Sequence, residues 1–344
     1  MGWRLTSFWL TKRVPLTISR GTTAKVEHLL LEFSHGDITG CGETGGFDTG
    51  NHYFDTATLK RELLQWLPSF PEGEPPPRQQ WSSLLRSLSS PARCAVDLAL
   101  HDWWAKKLGF PLWQLWGLQL DSIKPTSITI GLGDIDQMLQ RLQQWRELLP
   151  ATRVKLKLGS PLGHKQDQAL VEALLPHLAG AELQVDANGG WNPDQAQIMV
   201  PWLADRGVVL VEQPLPACCN DQDQFASLQG LAPIALVADE SCWGITDLLR
   251  LAPHVQGVNL KLLKTGGLTD AFLMAQLAQS FDLKLMLGCY SDSSLLNSAA
   301  SQLLPLVEWP DLDSHLNLSD DPFPAPPREG DLIKPSQLAG LGLP

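Results

Sequence analysis

Three carboxylates each close a short β-rich run of this chain: Asp186 in VDAN, Glu212 in VEQP and Asp239 in ADES. Lysines close two other runs, Lys155 and Lys157 in VKLKL and Lys261 in NLKL. Oxygen-only ligands in that number, with no Cys or His among them, suit a hard divalent ion; Mg2+ in such a site keeps positions for water and substrate, and one ion per subunit is expected. Lysines buried near a metal and another cation have lowered pKa values and can act as general bases. Coordination of a substrate carboxylate stabilises the charge left when the neighbouring carbon loses its proton. The chemistry implied is proton abstraction next to a carboxylate. The plainer alternative lets each Asp or Glu bond the N–H groups of its own loop and each lysine pair with a neighbouring acid, but three carboxylates in register favour the metal.

Such residues converge only if their strands share one rim. From about residue 124 the chain alternates β-rich runs with helical stretches: 126–132, 154–159, 182–188, 208–214, 234–241, 257–263, 283–289 and 307–313. Eight units with C-terminal ends about 22 to 29 residues apart fit strand plus crossover helix, and eight close into a barrel whose catalytic residues lie at the strand ends. Asn188, Glu240, Asp311 and Asp313 also fall at those ends. Period 2 turns Lys155 and Lys157 inward and Val154, Leu156 and Leu158 out towards the helices.

The first 120 residues read differently, as strands at 3–10 and 27–34, a Gly-rich CGETGG loop, and helices at 56–67, 79–88 and from Pro91 to a stop at Gly109. The expected class is α/β: a (β/α)8-type, TIM-like barrel over 121–315, an N-terminal α+β capping domain over 1–120, and a Pro-rich tail at 316–344 that returns to the capping domain.

The 344 residues carry 26 Lys and Arg against 37 Asp and Glu, a net charge of -11, which argues against nucleic-acid or anionic-membrane partners. Apolar runs stay well under the roughly 18 residues of a membrane span. No cleavage site follows the first apolar segment, and a cytoplasmic enzyme is expected. Six cysteines (Cys41, Cys94, Cys218, Cys219, Cys242 and Cys289) lack CxxC spacing and read as reduced thiols. TGG at 265–267 reads as helix capping, since no GKS or full GxGxxG accompanies it.

VKLKL, VDANGGW, VEQPLP, ADES and NLKLLKTGG together resemble the muconate-lactonizing subgroup of the enolase superfamily over nearly the full chain. The resemblance implies that Lys157 and Lys261 are the acid/base pair, Lys155 an auxiliary lysine, and Asp186, Glu212 and Asp239 the Mg2+ ligands. PDLDS resembles the Asp-x-Asp element with which dipeptide epimerases hold a substrate's amino terminus, here Asp311 and Asp313. ISRGTT, EQPLPA, ADESC and LMLGC are similar to the L-Ala-D/L-Glu epimerase branch. The implied activity is inversion of a dipeptide's C-terminal α-carbon by two-lysine 1,1-proton transfer through a metal-stabilised enediolate. Cycloisomerisation, o-succinylbenzoate synthesis and a non-catalytic ligand-binding barrel are the alternatives. The partner is then a small dipeptide, and barrels of this kind often form homo-oligomers.

CYSDSS at 289–294 departs from the Glu-Ser or Cys-Thr-Ser continuation of the family. Asp292 there is expected to welcome a cationic or neutral second side chain and to repel an acidic one. Arg20, in the capping loop, would attract one if it points inward. The 46–54 loop with His52 and Tyr53 is the other expected specificity element.

Overall fold

The computed structural model describes residues 2–218 and 220–343, so Cys219 lies outside the described residues. Three antiparallel strands begin the chain: β1 (Gly2–Ile18), β2 (Gly21–His35) and β3 (Ile38–Gly45). The first two extend well beyond the apolar runs that signalled them. Their polar continuations need only ladder bonds, and the register shifts between Thr11 and Leu16, where Pro15 has no N–H to give. Asp55 caps the helix α1 (Thr56–Trp66) by accepting from Thr58 N–H at 2.9 Å. The helix expected at 79–88 is a 3-10 turn at Arg78–Gln80 followed by the single helical turn Trp81–Leu84.

The long helix α2 (Ser90–Leu108) has Pro91 in its first turn and stops at Gly109, whose φ of 77° is left-handed. Its small residues let β3 come close. A Cβ added to Gly42 would collide with the Ala95 carbonyl, so this contact requires glycine.

Eight parallel strands follow: β4 (Ile128–Ile130), β5 (Arg153–Lys157), β6 (Glu182–Asp186), β7 (Leu210–Glu212), β8 (Ala235–Ala238), β9 (Gly257–Leu260), β10 (Lys284–Leu287) and β11 (Trp309–Pro310). Each pairs with its sequence neighbour, and Ser127 N–H donates to Pro310 O at 2.9 Å to join the first strand to the last. All eight runs seen in the sequence are strands of this α/β barrel. The helix α3 (Ile135–Leu148), capped by Asp134 and Gln137, packs outside β4. Alternation sorts the side chains: Val154, Leu156, Val185, Val211 and Val258 face the helices, while Leu210, Val237, Met286 and Trp309 fill a small apolar layer at the barrel base.

Cap and barrel meet through buried polar contacts. Asp97 of α2 accepts from Leu268 N–H at 2.6 Å and Thr269 N–H at 3.0 Å, and so fills the anion-favouring start of α4 (Leu268–Ser280) with a carboxylate of the chain itself. TGG at 265–267 therefore caps a helix. The tail runs beside β1, where Ser319 N–H donates to Thr11 O. It then crosses the barrel base, with Asp331 accepting from Thr152 N–H, and reaches α2, where Asp102 accepts from Leu341 N–H.

Candidate active site

Register builds the site. Lys157 lies opposite Asp186, and Asp186 opposite Glu212, in successive strand pairs, so inward positions on β5, β6 and β7 share one level at the barrel mouth. Asp239 follows β8 directly, and Lys261 follows β9. The structure brings the three predicted ligands together: one oxygen from each of Asp186, Glu212 and Asp239 lies within 4.8 Å of the others, and all three side chains are buried. The donor set, wholly carboxylate, fits Mg2+. Buried oxygens with no partner also lie beside the triad, on Asn188 (Oδ1) and Glu240 (Oε2).

Each predicted lysine is tied to this group. Lys157 Nζ donates to Asp186 Oδ2 at 2.5 Å, and Lys261 Nζ to Asp239 Oδ2 at 2.7 Å. Lys155 Nζ bridges Glu212 Oε2 at 2.5 Å and Asp311 Oδ2 at 2.6 Å from below. Lys157 and Lys261 line one cavity of about 310 Å3, together with Arg20, Phe47, Asn188 and Tyr290.

Two contributors escaped the sequence reading. Lys264 donates to both Asp239 Oδ1 and the Asp239 carbonyl, and Asn259 Nδ2 donates to Glu212 Oε1 at 2.6 Å. Asn259 stands two residues before Lys261 on the same face, so the alternation that exposed the lysines could have found it. Lys264 sits on the helical turn after the strand, where period 2 no longer applies.

Electrostatics here follow burial and neighbouring charge. Burial, with Asp186 beside it, pushes the Glu212 carboxyl up to about 8. Burial alone would raise Asp239 too, but Lys261 and Lys264 outweigh it and hold that carboxyl well below the usual range. Sequence reasoning expected depressed lysines; Lys155 and Lys261 are raised instead. Burial lowers both, yet Asp311 and Glu212 around Lys155, and Asp239 and Tyr290 around Lys261, outweigh it. A divalent ion held by the triad would draw off that carboxylate charge, and the amines would then lose its support.

Residues 137–344 match the enolase C-terminal domain-like family, and residues 5–117 match the mandelate racemase/muconate lactonizing enzyme N-terminal domain. The chain belongs to this enolase-superfamily family. It is similar to a hydrophobic dipeptide epimerase from Flavobacteria bacterium (strain MS024-2A), 36% identical over 338 residues, covering 97% of this chain and 95% of that protein. An L-Ala-D/L-Glu epimerase from Bacteroides thetaiotaomicron is 31% identical over 331 residues, covering 95% of this chain and 82% of its own. A dipeptide epimerase from Methylococcus capsulatus, solved with Mg and the dipeptide L-Arg-D-Lys, is 25% identical with a TM-score of 0.85, covering 99% of this chain and 98% of its own.

The remaining predicted residues of this enolase-superfamily chain divide. Arg20 does point inward, but its guanidinium is engaged: Nη1 donates to Asn188 O at 2.7 Å and Nη2 to Glu240 Oε1 at 2.8 Å. Asp311 and Asp313 do not present equally. Asp311 is held by Lys155 and by Ser127 Oγ at 2.7 Å, whereas Asp313 accepts from Thr129 N–H at 2.6 Å and lines an adjoining cavity. Burial and the neighbouring Asp311 raise the Asp313 carboxyl. Asp292 is buried towards His28 and Glu43 of the cap, away from the cavity walls, and burial pushes it up to about 6. Tyr53 is 74% exposed and lines neither cavity, because the turn at Asp48–Tyr53 directs it to solvent while His52 packs on Trp243.

Proposed function

We propose that this protein is a Mg2+-dependent dipeptide epimerase that inverts the α-carbon of the C-terminal residue. The observation that carries the reading is the pair Lys157 and Lys261, from opposite ends of the arc of acidic strands, lining one cavity. The similarity to proteins named dipeptide epimerases along nearly the whole chain supports it. Held by Asp186, Glu212 and Asp239, Mg2+ supplies the positive charge a substrate carboxylate needs while the adjacent carbon gives up its proton.

The chain's own residues do the rest. One of Lys157 and Lys261, as the neutral amine, accepts the α-proton, and the other, as the ammonium, donates one to the opposite face. Lys155 stays between Glu212 and Asp311 and keeps a fixed positive charge beneath the reacting group. Asp313, with one oxygen on Thr129, offers the other to the substrate's ammonium, and Asp311 adds negative charge behind it. Asn188 and Glu240 hold Arg20 across the mouth, which helps exclude water. Because Glu240 already answers Arg20, the apolar lining by Leu16, Ile18, Val26 and Phe47 favours an apolar second side chain.

No described helix is long and apolar enough to cross a membrane, and the net charge of -11 supports a cytoplasmic setting and, as partner, a small dipeptide instead of nucleic acid. Incubation of L,L-dipeptide libraries in D2O with Mg2+ tests the reading. The expected result is a one-mass-unit gain together with inversion at the second residue. Exchange without inversion across the library would instead favour a lyase or cycloisomerase of the same family.

A further inference from the structure

A second cavity, of about 330 Å3, opens off the first and shares Lys12, Leu16 and Tyr290 with it. Its walls are the end of β4, residues 12–17 of β1 and the first turns of α3, and Asp313 closes its inner end. A dipeptide whose α-carbon lies between Lys157 and Lys261 and whose ammonium meets Asp313 would project its first side chain here.

The charges in this wall are unbalanced. Asp313 is its one acid. Lys12, only 7% exposed, and Arg141 are its cations, and neither forms an ion pair among the described residues. Arg141 stacks on Trp145 at 4.2 Å and donates only to the neutral Gln144 Oε1 at 3.3 Å. Burial lowers the pKa of both; Asp313 pulls each back up, and Cys289 and Asp292 add to that pull on Lys12. Once a substrate ammonium occupies Asp313, Arg141 loses that partial compensation and Lys12 loses part of it. Desolvated cations without a partner are costly, and a ligand that brings an anion removes the cost. Gln137, Gln140 and Gln144 add amide groups to the same wall.

We propose that the first residue of the substrate carries a carboxylate side chain, as Asp or Glu does, and that Lys12 and Arg141 receive it. The inference rests on the dipeptide-epimerase reading and names the substrate class of that site. Asp292, whose expected effect concerned the second residue, lines neither cavity and so does not oppose an acidic first residue.

The test compares wild-type kcat/KM for L-Glu-L-Xaa, the isosteric L-Gln-L-Xaa and L-Lys-L-Xaa, with Xaa fixed at the best second residue of the library and turnover read as deuterium incorporation. The Glu-first dipeptide should exceed the Gln-first one by tenfold or more, with the Lys-first one slowest. In Arg141→Glu that order should invert in favour of Lys. Turnover of neutral-first dipeptides with Glu-first ones equal or slower overturns this inference and leaves the epimerase intact. Failure of every dipeptide to exchange overturns the epimerase reading, and this inference with it.

Discussion

The layer that holds Asp186, Glu212 and Asp239 and the cavity beneath β1 both carry charge of both signs, but only the first answers it internally. At the mouth Lys155, Lys157, Lys261 and Lys264 each meet a carboxylate within 2.7 Å. In the side cavity Lys12 and Arg141 meet none among the described residues. A network of paired, buried charges fixes geometry, which a proton transfer between defined faces needs. Unanswered charges fix nothing and wait for a ligand, which is how a site discriminates. If the chain epimerises dipeptides as proposed, the two regions separate reaction from recognition by one physical property, whether the chain supplies its own counter-charge.

Removing either amine should break the reaction side most completely. Lys157→Ala and Lys261→Ala should each lower the rate of epimerisation by on the order of 1000-fold or more, read as inversion of the second residue by chiral chromatography, with the circular dichroism of the fold retained. Chelation comes next: EDTA should cut turnover by on the order of 100-fold or more, with recovery on adding Mg2+. Glu212→Gln should show a comparable loss and no recovery.

A smaller effect probes the packing beside the side cavity. His315 accepts from Asn297 Nδ2 at 3.0 Å, and burial, with Arg328 adding to it, pushes its imidazole down to about 4. Above the ordinary value both folded and unfolded chains hold it neutral; between there and about 4 only the unfolded chain takes up a proton, so stability falls as pH falls and levels off below. Wild type should lose about 2 kcal/mol more than His315→Asn between pH 7 and pH 5, measured by urea unfolding of both proteins. That difference removes the opposing contribution of Asp292, which the two share. The smallest effect belongs to Tyr53→Ala, which should change kcat/KM less than about twofold, since an exposed side chain away from both regions makes no buried contact to lose.

Much of the reaction side was readable because it is written in alternation. Lys155, Lys157, Asp186 and Glu212 sit at strand positions whose inward direction follows from period 2 and whose common level follows from parallel register. Where that rule stops, so did the reading. Lys264 lies on a helical turn, and Asp311 and Asp313, though correctly placed at the last strand, differ in role because Lys155 reaches the first from another strand. Arg20 and Tyr53 lie on turns, whose direction is set by what packs against them.

The sequence by itself determined the eight-strand rhythm, the acidic triad with its flanking lysines, and the long helix of the cap, because each is encoded by local periodicity and by residue types with few alternatives. Only the tertiary structure decided that Glu240 answers Arg20, that Asp292 faces the cap, and that Lys12 and Arg141 wall the same cavity. Those outcomes depend on which distant segments become neighbours, and a charge acquires its meaning from the counter-charge that folding brings to it or withholds.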